Sequence, residues 1–322
     1  MGQTGVGKST FIECLAGEKG KSGSMGISKD QLEGFTQEIS IYRVVKTKNF
    51  IGFPMYVIDT PGFSDRKISE LKIVKMIQDW MRLHKRDNIN RILYLDRITD
   101  IRMSGSKGRR LEMFKSLTGS RSAGLITFVT TMWNNLWKED QIARADERFA
   151  QLKENHWKEF VDKGAAITKF QNTRESALQI LDECMRSDSG SAFKFEFERL
   201  QLENHKPLRE TPYGPIVYQN LIERIAGLQQ KLRLLEDDFG SMDEEAKGNE
   251  QLMTVLLKEK DEAMRDLAMF EEELKEFDPQ QTEEPPEGTT KITPGDQLLQ
   301  SIEKSTERIK SLFHRRPKKE AQ

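Results

Sequence analysis

The chain has 322 residues, 32% of them charged and 36% hydrophobic, and a formal net charge of −1. So even a balance excludes attachment to nucleic acid by bulk electrostatics. Its two cysteines, Cys14 and Cys184, exclude a disulfide framework and fit a reduced compartment.

The opening residues, Gly2-Gln3-Thr4-Gly5-Val6-Gly7-Lys8-Ser9-Thr10, form a glycine-rich turn. A helix is expected from Lys8 to about Ala16, stopped by Gly17, and then a polar Gly- and Ser-rich loop over 18–34. Strands are expected at Glu38–Val45 and Phe53–Asp59. A helix follows at Ile68–His84, with Leu71, Val74, Ile77 (or Gln78) and Met81 on one face. Next come a strand at Arg91–Leu95, a helix at Arg109–Leu117, a strand at Leu125–Thr130 and a helix at Asp140–Phe160. A short strand at Ala165–Phe170 and a helix at Arg174–Met185 close the series. This alternation predicts an α/β fold with a largely parallel, doubly wound sheet. A turn of this kind is usually fed by a buried strand, yet only Met1 precedes Gly2. The first strand is therefore expected to be missing, as in a fragment, a misplaced start or a truncation.

The second half changes character. Steps of four and three residues pass through Leu221, Ile225, Leu228, Leu232, Leu235, Phe239 and Met242, cross Ala246 and Asn249, and continue through Met253, Leu256, Lys260, Ala263, Leu267, Phe270, Leu274 and Phe277. Only Asn249 and Lys260 interrupt the apolar seam, which predicts a coiled coil; the other reading is one long helix packed on the globular part. Gly240 and Gly248 weaken the helix and mark a hinge or a back-folded hairpin. Residues 279–295 are rich in Pro, Glu and Thr and are expected to be disordered. The end of the chain resumes helical spacing and finishes on Arg315, Arg316, Lys318 and Lys319. It is read either as a solvated tail helix or as a weak peripheral contact with anionic membrane. The expected division is a globular domain over 1–190, a connector over 191–215, a coiled coil over 216–278 and a tail over 279–322. No apolar run reaches the length of about 18 residues that a membrane span needs, and no secretory signal is seen, so the expected location is cytoplasmic.

The chemistry begins with the pattern G-x-x-x-x-G-K-[ST], met by Gly2, Gly7, Lys8 and Ser9. Glycines let backbone N–H groups curl around a phosphate, so Thr4, Gly5, Val6 and Thr10 join the expected nucleotide contacts. Lys8 supplies charge to the β- and γ-phosphates, Ser9 a hydroxyl to magnesium, and the helix start its positive dipole end. About fifty residues on, Asp59-Thr60-Pro61-Gly62 follows an apolar strand. Asp59 is placed to hold magnesium through water, and Gly62 to offer its N–H to a γ-phosphate. Thr36, at the end of the polar loop, is the candidate switch threonine on magnesium. Lys8, Thr36 and Gly62 are the expected catalytic set, with Ser9, Thr36 and Asp59 on the metal.

These motifs, including Asp-Thr-Pro-Gly-Phe, resemble the septin-like and immunity-associated branch of P-loop GTPases. Fungal members of that group are similar also at Leu93–Gly105, at Val129-Thr130-Thr131-Met132-Trp133 and in the coiled-coil tail, so that the resemblance covers about residues 1–275. It implies a Ras-like G domain that binds GTP or GDP with magnesium and hydrolyses slowly or acts as a switch. Guanine specificity in such proteins rests on Asn/Thr-Lys-x-Asp, whereas Thr130-Thr131-Met132-Trp133-Asn134 carries no acid. Thr131 and Trp133 are then the expected base-side contacts, with Asn134 at the base edge; strand-end packing is the other reading of Trp133. A later contact falls on Thr173–Ala177. Phe63 stands where Ras-type enzymes keep a water-orienting Gln. Arg97 and Arg102 are read as facing a partner's phosphates in a dimer or as solvated surface. The leading function is a GTP-binding switch whose arm forms a homodimer or binds a partner protein. The alternatives are an ATP-binding P-loop protein and a coiled-coil scaffold with a vestigial nucleotide site.

Overall fold

The structure, a computed structural model, describes residues 1–16, 38–44, 55–63, 65–84, 89–101, 105–186, 194–203, 207–242 and 249–277. It divides into two compact units, Met1–Asn220 and Leu221–Gln322. The expected polar loop, Thr36, Arg102, the segment expected to be disordered and the basic tail fall outside the described residues.

In the first unit α1 is Lys8–Ala16, and β1 (Ser40–Val44) runs antiparallel to β2 (Met55–Asp59). After α2 (Glu70–Leu83) come β3 (Ile92–Arg97), α3 (Gly105–Thr118), β4 (Ile126–Thr131), α4 (Glu139–Gln151), α5 (Lys158–Asp162), β5 (Ala166–Lys169) and α6 (Arg174–Arg186). Strands β3, β4 and β5 form a parallel sheet with β4 central, Leu95 opposite Val129 and Phe128 opposite Ile167. β4 is buried at every position, which is why it reads as an unbroken apolar and β-branched run. Neighbours on it serve opposite faces. Val129 belongs to a cluster with Val6, Phe11, Leu15, Leu95 and Phe170. Phe128 meets Tyr94, Phe160 and Trp157.

Most expected elements form at the expected places. α2 begins where the Ser69 hydroxyl accepts from the Lys72 N–H at 3.0 Å, and Leu71, Val74, Ile77, Gln78 and Met81 are all buried along it. The helix expected over Asp140–Phe160 is broken instead. A π-helical stretch, Leu152–His156, widens the turn between α4 and α5, and the Trp157 N–H donates to the Leu152 carbonyl at 2.8 Å. The break lets Trp157 turn inward and stack on Phe128 with ring centroids 4.7 Å apart. The sheet also differs from the expectation. β1 and β2 do not share a ladder with β3, and Met1–Gln3 alone bridges them among the described residues, Gly2 pairing with Leu95 and Gln3 with Phe63.

The second unit takes up α7 (Gly214–Ser241) from Leu221 and contains α8 (Glu250–Phe277). Every described seam position on these helices from Leu221 to Met242 and from Met253 to Phe277 is buried or half-buried, whereas Leu234, Leu252, Val255, Leu257 and Met264 are exposed. Arg224 lies 5.5 Å from the Phe270 ring centroid, and Lys231 and Lys260 pair with Glu259 and Glu236 at 3.1 and 3.2 Å. These pairs set the two helices antiparallel. They also account for a lysine in an apolar seam, since Lys260 turns its ammonium to Glu236 across the pair.

Candidate functional site

The glycine-rich turn sits where β3 and β4 end. Gly7 has φ +89°, a left-handed conformation that suits glycine and that turns curling around an anion use. Side chains from three directions hold this turn. The Thr131 hydroxyl donates to the Val6 carbonyl at 2.9 Å, and Arg110 donates to the Gln3 side-chain oxygen at 2.9 Å. The Thr4 hydroxyl donates to Asp65 at 3.3 Å, while its N–H donates to the Phe63 carbonyl at 3.2 Å.

Lys8 and Ser9 open α1 on the concave side. Lys8 Nζ donates to the Gln3 carbonyl at 3.2 Å, across the mouth of the turn. Burial lowers its pKa to about 8, against the opposing pull of Asp59 and Asp65. Ser9 Oγ donates to Asp59 Oδ2 at 3.0 Å, and Asp59 is buried at the end of β2. A hydroxyl and a carboxylate thus converge beside a lysine. Such hard oxygen donors suit a magnesium ion, and the lysine and backbone N–H groups suit the phosphates it would accompany. Gly62 packs so closely that a Cβ there would come within 2.5 Å of the Thr4 N. The geometry therefore brings Lys8, Ser9, Asp59 and Gly62 together around the turn.

The base side is built differently. Met132, with φ 67°, turns the chain out of β4, and Trp133 follows. Trp133 is buried, its indole N–H donates to the Thr130 hydroxyl at 2.9 Å, and Phe149 meets it edge-on with centroids 6.1 Å apart. Lys169 Nζ stands 4.2 Å from the centre of the indole. Thr131 spends its hydroxyl on the phosphate turn. Thr173 accepts from the Ser176 N–H at 3.2 Å and so starts α6. Arg97 pairs with Asp100 at 3.1 Å.

A family model described as 50S ribosome-binding GTPase matches residues 1–161, half of the chain. The chain belongs to this GTPase family. Guanine-nucleotide binding is the coarse function that membership carries. Among solved structures the GTPase is similar to a dimerization-deficient mutant of Toc33 from Arabidopsis thaliana, at 18% identity and a TM-score of 0.38 over 54% of this chain and 69% of that one. Toc33 in complex with Mg2+ and GMPPNP gives 20% identity and a TM-score of 0.36, with the same coverages of 54% and 69%. A structure of the chloroplast translocon components atToc33 and psToc159 gives 16% and 0.41 over 60% of this chain and 82% of that one. No curated protein matches.

The sequence reading missed part of the GTPase's support. Lys107 and Arg110, one turn apart on α3, are both buried. Lys107 pairs with Asp96 at 2.8 Å and with Asp100 at 3.5 Å, while Arg110 reaches Gln3. Burial pushes the Asp96 carboxyl up, and Lys107 pulls it back. The expected helix began at Arg109, which left Lys107 in a loop; acids at the end of an apolar strand were the available signal. Asp65 was also missed: it receives Thr4 and, at 2.9 Å, the Lys67 N–H.

Proposed function

We propose that this GTPase binds GTP and GDP with magnesium at the turn Gly2–Thr10, hydrolyses GTP slowly, and works as a nucleotide switch joined to a coiled-coil arm. The observation that carries the reading is the Ser9–Asp59 pair, 3.0 Å apart, beside Lys8 at the start of α1. Ser9 and Asp59 would hold the magnesium, with Thr36 joining in the triphosphate state, and the ion would supply charge neutralisation for the β- and γ-phosphates. Lys8 exchanges the Gln3 carbonyl for phosphate oxygens, and the Gly62 N–H senses the γ-phosphate. Phe63 explains the slow turnover. It is 2% exposed and its backbone pairs with Gln3, so no side chain at that position orients a water.

The finer affinity with the septin-like and immunity-associated branch, and with its fungal members, rests on the segments Leu93–Gly105 and Val129–Trp133. The same reading makes the protein cytoplasmic, dimeric or partnered through its arm, with weak membrane contact through the basic tail. Competition against a labelled nucleotide tests it. Excess GTP should displace the label while equal ATP leaves most of it bound. Equal displacement would sink guanine selectivity, and no binding at micromolar protein would leave the scaffold reading in its place.

A further inference from the structure

A cavity of about 710 Å³ opens on the first unit near the start of β4, whereas the phosphate turn sits at that strand's end. β4 is six residues long, so the two places lie about 20 Å apart along the sheet. One wall is the last turn of α3 with the 3₁₀ turn Ser120–Leu125 that follows it; the other is the segment 194–199. Both walls are anchored from behind. Phe114 and Leu117 are buried under the end of α3. Phe195, Phe197 and Glu198 are buried under the other wall, where the Glu198 carboxylate accepts from the Phe195 N–H at 2.8 Å. Gly119, with φ +74°, turns the chain out of α3 and lets the walls meet, since a Cβ there would stand 3.1 Å from the Glu196 Cβ.

Charge sets this cavity apart. The whole chain carries a net charge of −1, yet the lining brings together Lys115, Arg121, Lys194 and Arg199 with one carboxylate, Glu196. Arg199 pairs with Glu196 at 2.6 Å, and Lys115 reaches Glu159 at 3.4 Å. With both of these acids counted, the cations of the lining still outnumber them by two. The Arg121 side chain makes no hydrogen bond or ion pair among the described residues, and neither do the Ser116 and Ser120 hydroxyls of the same lining. Donors are thus in excess. The ligand that answers them is rich in acceptor oxygens, and a phosphomonoester offers three where a carboxylate offers two. The volume is that of a small-molecule site, far larger than one phosphate group.

We propose that this cavity binds a compact polyanion bearing two or more phosphomonoester groups, either free in solution or as the headgroup of a lipid. Arg121 takes one phosphate through its guanidinium fork. Lys115 and Lys194, on opposite walls, take another, and the two serine hydroxyls donate to the oxygens left over. The site is separate from the phosphate turn and does not depend on what that turn binds.

The test titrates the full chain with inositol hexakisphosphate in a calorimeter. Binding should weaken about tenfold or more in Arg121→Glu and in Ser120→Asp, each of which puts negative charge in the lining. Neither side chain has a partner to lose, so Tm should stay within about 2 °C of the parent. Lys8→Ala should bind the probe as the parent does, which keeps this result apart from the nucleotide reading. Cosedimentation with phosphatidylcholine vesicles containing phosphatidylinositol bisphosphate separates the two sources. If Arg121→Glu lowers it, the phosphates are those of a lipid headgroup. If Arg121→Glu leaves it unchanged while weakening hexakisphosphate, the ligand is a free molecule and the basic tail accounts for the vesicles. Four results overturn the proposal: no binding of either probe, equal hexakisphosphate binding by Arg121→Glu, loss of it in Lys8→Ala, or equal affinity for a hexaglutamate peptide.

Discussion

The phosphate side and the base side of the site are built on opposite plans. Around the turn Gly2–Thr10 the expected ligand contacts are backbone N–H groups together with Lys8 and Ser9, and side chains such as Thr131, Arg110 and Asp65 serve to hold that backbone still. At the end of β4 recognition would have to come from side chains, and these are engaged in packing: the Trp133 N–H in Thr130, its ring beside Phe149 and Lys169. A backbone cradle reads any triphosphate, whereas telling guanine from adenine needs a side chain free to bond the base edge. The difference locates the strong and weak halves of the site's specificity.

Lys8→Ala breaks the strong half most directly. It should abolish GTP binding in titration calorimetry while leaving helix content by circular dichroism unchanged. Lys107→Met should cost about 3–5 kcal/mol of stability in urea unfolding by stranding Asp96, and adding Asp96→Asn should restore most of that loss. Trp133→Leu should cost about 2 kcal/mol of stability yet leave the GTP-to-ATP preference unchanged. Collapse of that preference would return Trp133 to the base. Gly62→Ala should weaken GTP about tenfold, because the new methyl group meets the Thr4 backbone within 2.5 Å. A further test concerns the amino terminus. Its pKa is lowered from 8.0 to about 5, so stability present above pH 8 is lost as pH falls toward 5. An Nα-acetylated chain should lack that slope, and Tm values for the two forms should diverge between pH 8 and about 5.

How legible each part was follows from the same contrast. The turn proposed to bind phosphate is a short local pattern, so Gly2, Gly7, Lys8, Ser9, Asp59 and Gly62 could be singled out from spacing alone, and the structure places them near one another. The helical faces were legible for a similar reason, as in α2, where apolar spacing matched the buried side. What stayed hidden depends on contacts between distant residues. Nothing near Asp140–Phe160 announces that Trp157 finds its partner in Phe128 on β4 and so breaks a helix. Lys107 acquires its role only once α3 lays it over the end of β3, beside Asp96 and Asp100. Thr131, read as a contact for the base, donates its hydroxyl to Val6, 125 residues earlier in the chain.

The antiparallel pairing of α7 and α8 has a consequence for assembly. A heptad seam answered by a second helix of the same molecule closes as a unimolecular event, at an effective concentration fixed by the short link between the helices. Its melting is then independent of how much protein is present, unlike that of a two-chain zipper. A second molecule that engages this arm meets the outward side chains Leu234, Leu252, Val255, Leu257 and Met264, or must first prise the pair apart.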